Sequence, residues 1–442
     1  MALRMSANAK KIVKMLLFTA LFLLVFRMGY WVTLPFIEYN LTEPVDFGFL
    51  NALSGGALGH FSVLCLGISP YITASIVVQL LQMDIIPVLK EWTEEGEAGK
   101  QKLNQLTRYL ALGLAFVQAL TLTIGISLNY NDLYFIAEMG DVSKPILFIY
   151  LALVATAGTA FALWLAELIT KHGIGNGTSM LICAGILASF PSMFKDLADK
   201  YLANADATQN SVFVFVFVVV LLIAIIVFIV FMEAAQRKIP IQYANRPAAG
   251  TFRGKNDSNI PVKLNSASVI PVIFASTLMS LPTTIISLAA LDTTTGAGYY
   301  LNQIFSTTSI DATTGNVTIN IVGFVVYILL IFIFSFFYAF LQMDPEKMSD
   351  NLQKQNAYVP GVRPGEETAS YISRVLFKIT VVGATYLTLV AVIPTICSAI
   401  FDLPSSVQVG GTSLIIVVGV AVETAKQLKT QKQEKQYRGF MG

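Results

Sequence analysis

The chain has 442 residues, 55% of them hydrophobic and only 13% charged, with a formal net charge of +2. That is too apolar for two or three soluble domains of the same total length, so the membrane class remains and the net charge says little by itself. The charged residues collect in short stretches between long apolar runs, as expected where lipid excludes them.

Lys10, Lys11 and Lys14 precede an apolar run from Met15 to about Phe36. The run is longer than the roughly 7–15 residues of a signal-peptide core and no small-residue cleavage site follows, so it reads as a first span. A hydrocarbon core about 30 Å thick needs roughly 20 apolar residues per helix. On that measure spans fall near 15–36, 53–83, 109–128, 146–169, 178–195, 211–232, 267–290, 319–341, 375–400 and 408–425, ten in all. An even number puts both termini on one side. Of the 29 Lys and Arg residues, 24 fall in the proposed inner segments 1–14, 84–108, 170–177, 233–266, 342–374 and 426–442. The outer loops hold Lys144, Lys195 and Lys200, and Arg27 and Lys378 lie inside spans. Because basic loops resist translocation, this asymmetry places both termini in the cytoplasm. Cys65, Cys183 and Cys397 each sit in an apolar segment and are odd in number, which implies no disulfide framework.

Two short patterns recur. Pro70-Tyr71-Ile72-Thr73-Ala74-Ser75 in span two and Pro271-Val272-Ile273-Phe274-Ala275-Ser276 in span seven both read P-x-I-x-A-S. Gly177-Thr178-Ser179 with Ile182 and Gly185 in span five, and Gly411-Thr412-Ser413 with Ile416 and Gly419 in span ten, both read G-T-S-x-x-I-x-x-G. Each pair is five spans apart, an odd number, so the second copy enters the membrane in the opposite sense. An inverted repeat follows, and interrupted helices at matching places in two halves point to a central pathway.

An ion channel needs a carbonyl filter or a charged ring, and a proton-coupled carrier usually carries Asp, Glu or His deep in its spans. Arg27 is the one charge near the middle of a span and reads as a structural pairing residue. Glu167, Glu233 and Glu423 lie at cytoplasmic span ends, where snorkelling suffices. The repeat-matched Ile72, Ile273, Ile182 and Ile416, with Ile68 and Ile186 one helical turn away on the same faces, suggest an apolar collar. A collar of this kind blocks ions through the cost of dehydrating them, yet offers no fixed charge or hydrogen bond to hold a passing chain. Any single isoleucine could be core or lipid filler; the correspondence between copies raises the collar above that reading. Gly173 to Ser179 superficially suggests a phosphate loop but lacks the Lys and joins two spans, so it is a turn. His60 and His172 are isolated, so neither a metal site nor another cofactor is expected. No nucleophile, base and orienting group occur together, so an enzyme is disfavoured.

The stretches Ser54-Gly55-Gly56-Ala57-Leu58, Leu66-Gly67-Ile68-Ser69-Pro70-Tyr71-Ile72, Gly173-Ile174-Gly175-Asn176-Gly177, Val269-Ile270-Pro271, Val359-Pro360-Gly361-Val362-Arg363-Pro364-Gly365 and Gly410-Gly411-Thr412-Ser413-Leu414 form an ordered series along nearly the whole chain. In them the chain resembles the SecY family. The first outer turn, Val32-Thr33-Leu34-Pro35-Phe36, departs from the family's Pro-x-Pro-Gly pattern, and loop 246–254 is diverged. The resemblance implies an all-α integral membrane protein whose ten transmembrane helices form two inverted five-helix halves, a clamshell around a central hourglass pore. The halves would be 1–210 and 211–442. It carries the pore ring onto Ile68, Ile72, Ile182, Ile186, Ile273 and Ile416, and a plug, a short half-helix, onto 53–63, opening Leu53, Ser54, Gly55, Gly56, Ala57, Leu58. The glycines there would suit a mobile element better than a packed one. Spans two and three would face seven and eight as a lateral gate, with Thr73, Gln118, Ser276 and Thr277 bonding across the seam or serving as ordinary interhelical contacts.

Loops 233–266 and 342–374 are long for a helix bundle and carry Arg237, Lys238, Arg246, Arg253 and Arg363. In the family such loops dock a ribosome or a SecA-type motor ATPase, although charge alone does not separate docking from topology. The implied function is a protein-conducting channel of the bacterial cytoplasmic membrane. It would pass signal peptides and nascent or unfolded polypeptides across the bilayer, or sideways into its lipids, beside SecE-like and SecG-like subunits. An inverted-repeat secondary transporter of a small solute is the rival reading.

Overall fold

The structure, a computed structural model, describes residues 7–35, 51, 53–82, 86–129, 144–202, 209–243, 258–288, 296–310, 317–401, 403 and 405–438. Among these, ten helices overlap the ten expected spans. They are α1 (Ala7–Gly29), α2 (Ser69–Leu81), α4 (Glu97–Asn129), α5 (Lys144–His172), α6 (Gly177–Tyr201), α7 (Gln209–Ala234), α8 (Ile270–Leu288), α10 (Ile321–Gln342), α12 (Glu366–Phe401) and α13 (Ser405–Arg438). Three short helices lie between them: α3 (Pro87–Glu94), α9 (Gly296–Phe305) and α11 (Pro345–Lys354). Seven of the helices are long and apolar enough to cross a bilayer, while 69–81 and 270–283 are apolar but shorter. Several helices run past the apolar stretch that defines the span: α4 begins at Glu97, α12 at Glu366, and α13 continues to Arg438. Hydropathy sees only the part of a helix that lipid surrounds, so it cannot mark such ends.

Span two departs most from expectation. Only 69–81 is regular helix, and 54–68 is a succession of turns. Gly55, Gly56, Phe61 and Gly67 have positive φ there, so no continuous helix can form. Non-helical backbone at this depth is tolerated because protein, not lipid, surrounds it. Leu53, Ala57, Leu58, Phe61 and Cys65 are all buried.

Helices α1, α2, α4, α5 and α6 pack on one another, as do α7, α8, α10, α12 and α13. The two sets meet where α6 lies on α13 and α7, and where α2 and α4 lie on α8. At one end of the α6 side, the Tyr201 hydroxyl donates to the Phe401 carbonyl (2.5 Å).

The two long loops, 233–266 and 342–374, are joined by a sheet. Strands β1 (Gln236–Tyr243) and β2 (Ser258–Lys263) form an antiparallel hairpin in the first, and β5 (Ala357–Tyr358) from the second adds to β1 through Gln242↔Tyr358 and Tyr243↔Ala357. A further small hairpin, β3 (Thr308–Ile310) with β4 (Val317–Ile319), lies between α9 and α10. Alternation in β1 turns Ile239 and Ile241 inward, into an apolar cluster with Val262, Leu352, Val359 and Ile372. Pro261 lies on the edge strand, and Pro240 precedes the point where β5 pairs, so neither removes a ladder bond that a third strand needs.

Glu233 is not a snorkelling residue. It is 5% exposed and accepts from the Asn265 amide (2.7 Å), while Lys426 on α13 donates to the Glu233 carbonyl (2.9 Å). Asn265 also donates to the Ser268 carbonyl (2.9 Å), shaping the turn that starts α8. The contact is long-range, so its sequence position alone gave no sign of it. Glu167, by contrast, is half-exposed and pairs with Arg108 of α4 (2.6 Å). Replacing Glu233 with Ala should leave the buried Asn265 amide short of an acceptor and destabilise the fold by about 1–3 kcal/mol. Glu233→Gln, which keeps an acceptor oxygen, should lose much less; melting of the two variants in detergent checks this.

Candidate functional site

The site is built outward from the start of α6. Asn176 caps this helix, its side chain accepting from the Thr178 amide (3.2 Å) and hydroxyl (2.8 Å). Gly177 sits where an added Cβ would come within 1.8 Å of the Ala166 carbonyl oxygen, so no other residue could start the helix so close to α5. Thr178, Ser179 and Ile182 line a cavity of about 420 Å³, together with Ile72 and Gln79 of α2, Asn104 of α4 and Ile273 of α8. Its polar lining is mostly uncharged: Ser75, Gln79, Gln82, Asn104, Asn176 and Thr178 contribute amides and hydroxyls, with Lys100 the cation among its residues. One to two turns further along α6 come Gly185 and Ile186, at the segment that precedes α2. From Thr178 to Gly185 is about 10 Å at 1.5 Å per residue.

All six of the singled-out isoleucines, Ile68, Ile72, Ile182, Ile186, Ile273 and Ile416, are buried, between 0% and 8% exposed, and belong to one apolar cluster drawn from both helix sets. The matched glycines each receive a close neighbour. An added Cβ would stand 2.8 Å from the Leu53 carbonyl oxygen at Gly185, and 2.5 Å from a Val269 methyl at Gly419. So α6 takes the backbone that leads into α2, and α13 takes the residue that leads into α8. The copies differ in one respect: α6 starts at Gly177, whereas α13 is already under way at Ser405, ahead of Gly411.

Segment 53–63 is firmly packed. Leu53, Ser54, Ala57, Leu58 and Phe61 are buried. Its glycines, expected to loosen it, serve contact instead: a Cβ on Gly55 would approach the Gly185 backbone to 3.0 Å, and one on Gly56 the Tyr30 ring to 3.3 Å. The Ser54 hydroxyl donates to the Asn51 carbonyl (2.9 Å) and accepts from the Leu58 amide (3.1 Å). Two backbone bonds, Leu34 N–H to Phe61 O (2.9 Å) and Val63 N–H to Val32 O (2.8 Å), tie it to the chain after α1. Arg27 donates to the Gly55 carbonyl (2.9 Å) and lies over the Tyr30 ring, 4.0 Å from its centre.

Along the seam, the hydroxyls singled out from sequence bond near home. Thr73 donates to Ser69 O (3.3 Å) and Thr277 to Ile273 O (2.7 Å), each within its own helix. Ser276 donates to Val272 O (2.8 Å) and meets the Tyr327 hydroxyl of α10 (3.2 Å), inside the same helix set. Gln118 is half-buried on α4. The bond that crosses the seam is one sequence reasoning missed: the Tyr338 hydroxyl of α10 donates to the Gln79 amide oxygen of α2. Arg237 and Lys238 are exposed on β1. Arg363 extends from a turn flanked by Gly361 and Gly365, both at positive φ, and its carbonyl accepts from Thr368 (2.8 Å). Arg246 and Arg253 lie outside the described residues. No group of three or more His, Cys, Asp or Glu able to hold a metal occurs among the described residues.

Comparison with known proteins decides the family. The family model described as SecY matches residues 62–425. The chain is 42% identical over 432 residues to the protein translocase subunit SecY of Halalkalibacterium halodurans, covering 96% of each chain. It is 42% identical over 441 residues to that of Staphylococcus carnosus, covering 98% of each. The chain belongs to the SecY family.

Solved structures agree on the fold. A protein-conducting channel superposes with a TM-score of 0.66 at 18% identity, covering 95% of this chain and 93% of that one. Sec61 of a canine ribosome-channel complex superposes at 0.61 and 17% identity, covering 95% and 93%. The chain therefore has the SecY fold of ten transmembrane helices in two inverted halves, and is a multi-pass cell-membrane protein. It is a protein-conducting channel, not an enzyme. The small-solute transporter reading is not favoured.

The Gln79–Tyr338 bond joins α2 of one helix set to α10 of the other. Tyr338→Phe removes its donor and should weaken that contact by about 1 kcal/mol. Spin labels at the exposed Val77 and Leu341 should then show a broader, longer distance distribution. An unchanged distribution would mean that other packing holds the two helices together.

Proposed function

We propose that the six isoleucines are the constriction of this channel and that 53–63 is its plug. What supports this is the order along α6: polar cavity, isoleucine, then plug backbone, within about 10 Å. A waist of aliphatic side chains resists ions because dehydrating an ion there is costly, and it grips no passing sequence because it makes no directional bond. The halves divide at 210/211, and the seam of α2 and α4 against α8 and α10 is the lateral gate. Through it an apolar signal segment reaches lipid by displacing bonds no stronger than the one between Gln79 and Tyr338.

The cytoplasmic sheet is the docking face. A ribosome or a SecA-type motor ATPase would engage Arg237, Lys238 and Arg363, with Arg246 and Arg253 nearby in sequence. One relative, the yeast Ssh1 complex, is described as bound to an 80S ribosome. Guanidinium groups suit both RNA phosphate and acidic protein surfaces. SecE-like and SecG-like subunits would flank the helices, and both termini would face the cytoplasm, as the Lys and Arg distribution requires.

Ile182→Asn and Ile416→Asn each place an amide in the waist. Each should raise ion conductance across planar bilayers several-fold and let weaker signal sequences through; wild-type conductance in both would count against these positions as the constriction. Orientation is read separately: single cysteines near residues 14 and 429 should react with an impermeant maleimide only from the cytoplasmic side of right-side-out vesicles once permeabilised.

A further inference from the structure

We propose that Arg27 is the latch that holds the plug shut, acting on the main chain of Gly55. This rests on the reading of 53–63 as the plug. A guanidinium in the last turn of a membrane-spanning helix is costly to place and calls for a specific partner. Here two are given: the Gly55 carbonyl at 2.9 Å and the Tyr30 ring at 4.0 Å. Both favour the cation, one as a charge-assisted hydrogen bond and one through the ring's quadrupole. Tyr30 is itself held edge-on by His60 of the plug, ring centres 4.9 Å apart. The segment is thus fastened to the end of α1 twice, by Arg27 at the end of the helix and by Tyr30 just after it.

The opposite side of Gly55 shows why the carbonyl is available. Gly55 has φ +69 and rests on the Gly185 backbone, closer than any side chain would permit. The peptide is clasped between a glycine of α6 and the arginine of α1, with its carbonyl turned to the arginine. Main-chain acceptance makes the latch independent of the plug's side chains. It also makes it separable from the isoleucine waist, since none of the six isoleucines contributes to it. A cavity of about 320 Å³, lined by Arg27, Tyr30, Gly55 and Gly185 among others, adjoins the bond and gives the freed guanidinium room when the plug leaves.

The test compares four full-length channels in planar bilayers: unmodified, Arg27→Gln, deletion of 53–63, and both changes together. Arg27→Gln should raise resting ion conductance about tenfold, the order expected for losing a hydrogen bond to a charged group. Arg27→Lys, which keeps a cation but not the planar fork, should fall between. In the deletion background Arg27→Gln should add nothing, because its target is gone. Equal increments in both backgrounds would overturn the latch and assign Arg27 to another role. Deletion without any leak would instead overturn the plug reading. Amide exchange supplies an independent measure in the undeleted protein. Arg27→Gln should speed exchange across 53–63 about tenfold and leave α5 unchanged, and equal exchange in 53–63 would refute the latch even if 53–63 were no plug.

Discussion

The cost of putting water, ions or unpaired polar groups into an apolar waist is the constraint on which this structure depends. A channel for polypeptides must admit side chains of every chemistry and still hold an ion gradient. A ring of charges or carbonyls would serve the second need and defeat the first, because it would bind some sequences and repel others. The six isoleucines are buried in one cluster from both halves, and as the proposed constriction they would meet both needs through shape and dehydration alone. The cavity beside them can be wet because its amides and hydroxyls hydrogen-bond water, yet it carries little charge to capture a chain.

Such a waist needs helices that cross it from opposite directions, and the inverted repeat supplies them. The matched glycines, Gly185 and Gly419, show the symmetry working at atomic scale, one admitting the chain ahead of α2 and the other the residue ahead of α8. The segment 54–68 is where the symmetry is broken. In one half the fifteen residues 54–68 run as turns between Leu53 and α2, whereas in the other Val269 passes almost directly into α8. On the proposed reading one half would carry a removable closure there and the other a fixed wall.

The spans, the repeat and the shared burial of the six isoleucines were legible in the sequence because each depends on composition or spacing that survives without coordinates. What was hidden depends on partners far apart in the chain. Glu233 reads as a helix-end carboxylate until Asn265 and Lys426 close over it. Gln79 and Tyr338 lie on helices that no local pattern pairs. β5 is two residues long and reads as loop without its partner strand. The glycines of 53–63 were open to two meanings, freedom or close approach, and the position of Gly185 decides for Gly55. Thr73, Ser276 and Thr277 were visible as polar residues on apolar helices, but a hydroxyl's nearest acceptor is usually the carbonyl four residues back, which the chain always provides.

The most direct measurement places a photo-crosslinking side chain at Ile72, Ile182, Ile273 or Ile416 and stalls a secretory precursor midway through the reconstituted channel. A translocating chain confined by the waist should crosslink from all four positions, through residues of its mature region. Crosslinks absent at these positions but present from lipid-facing sites such as Val220 or Phe231 would contradict a polypeptide path through the isoleucine cluster.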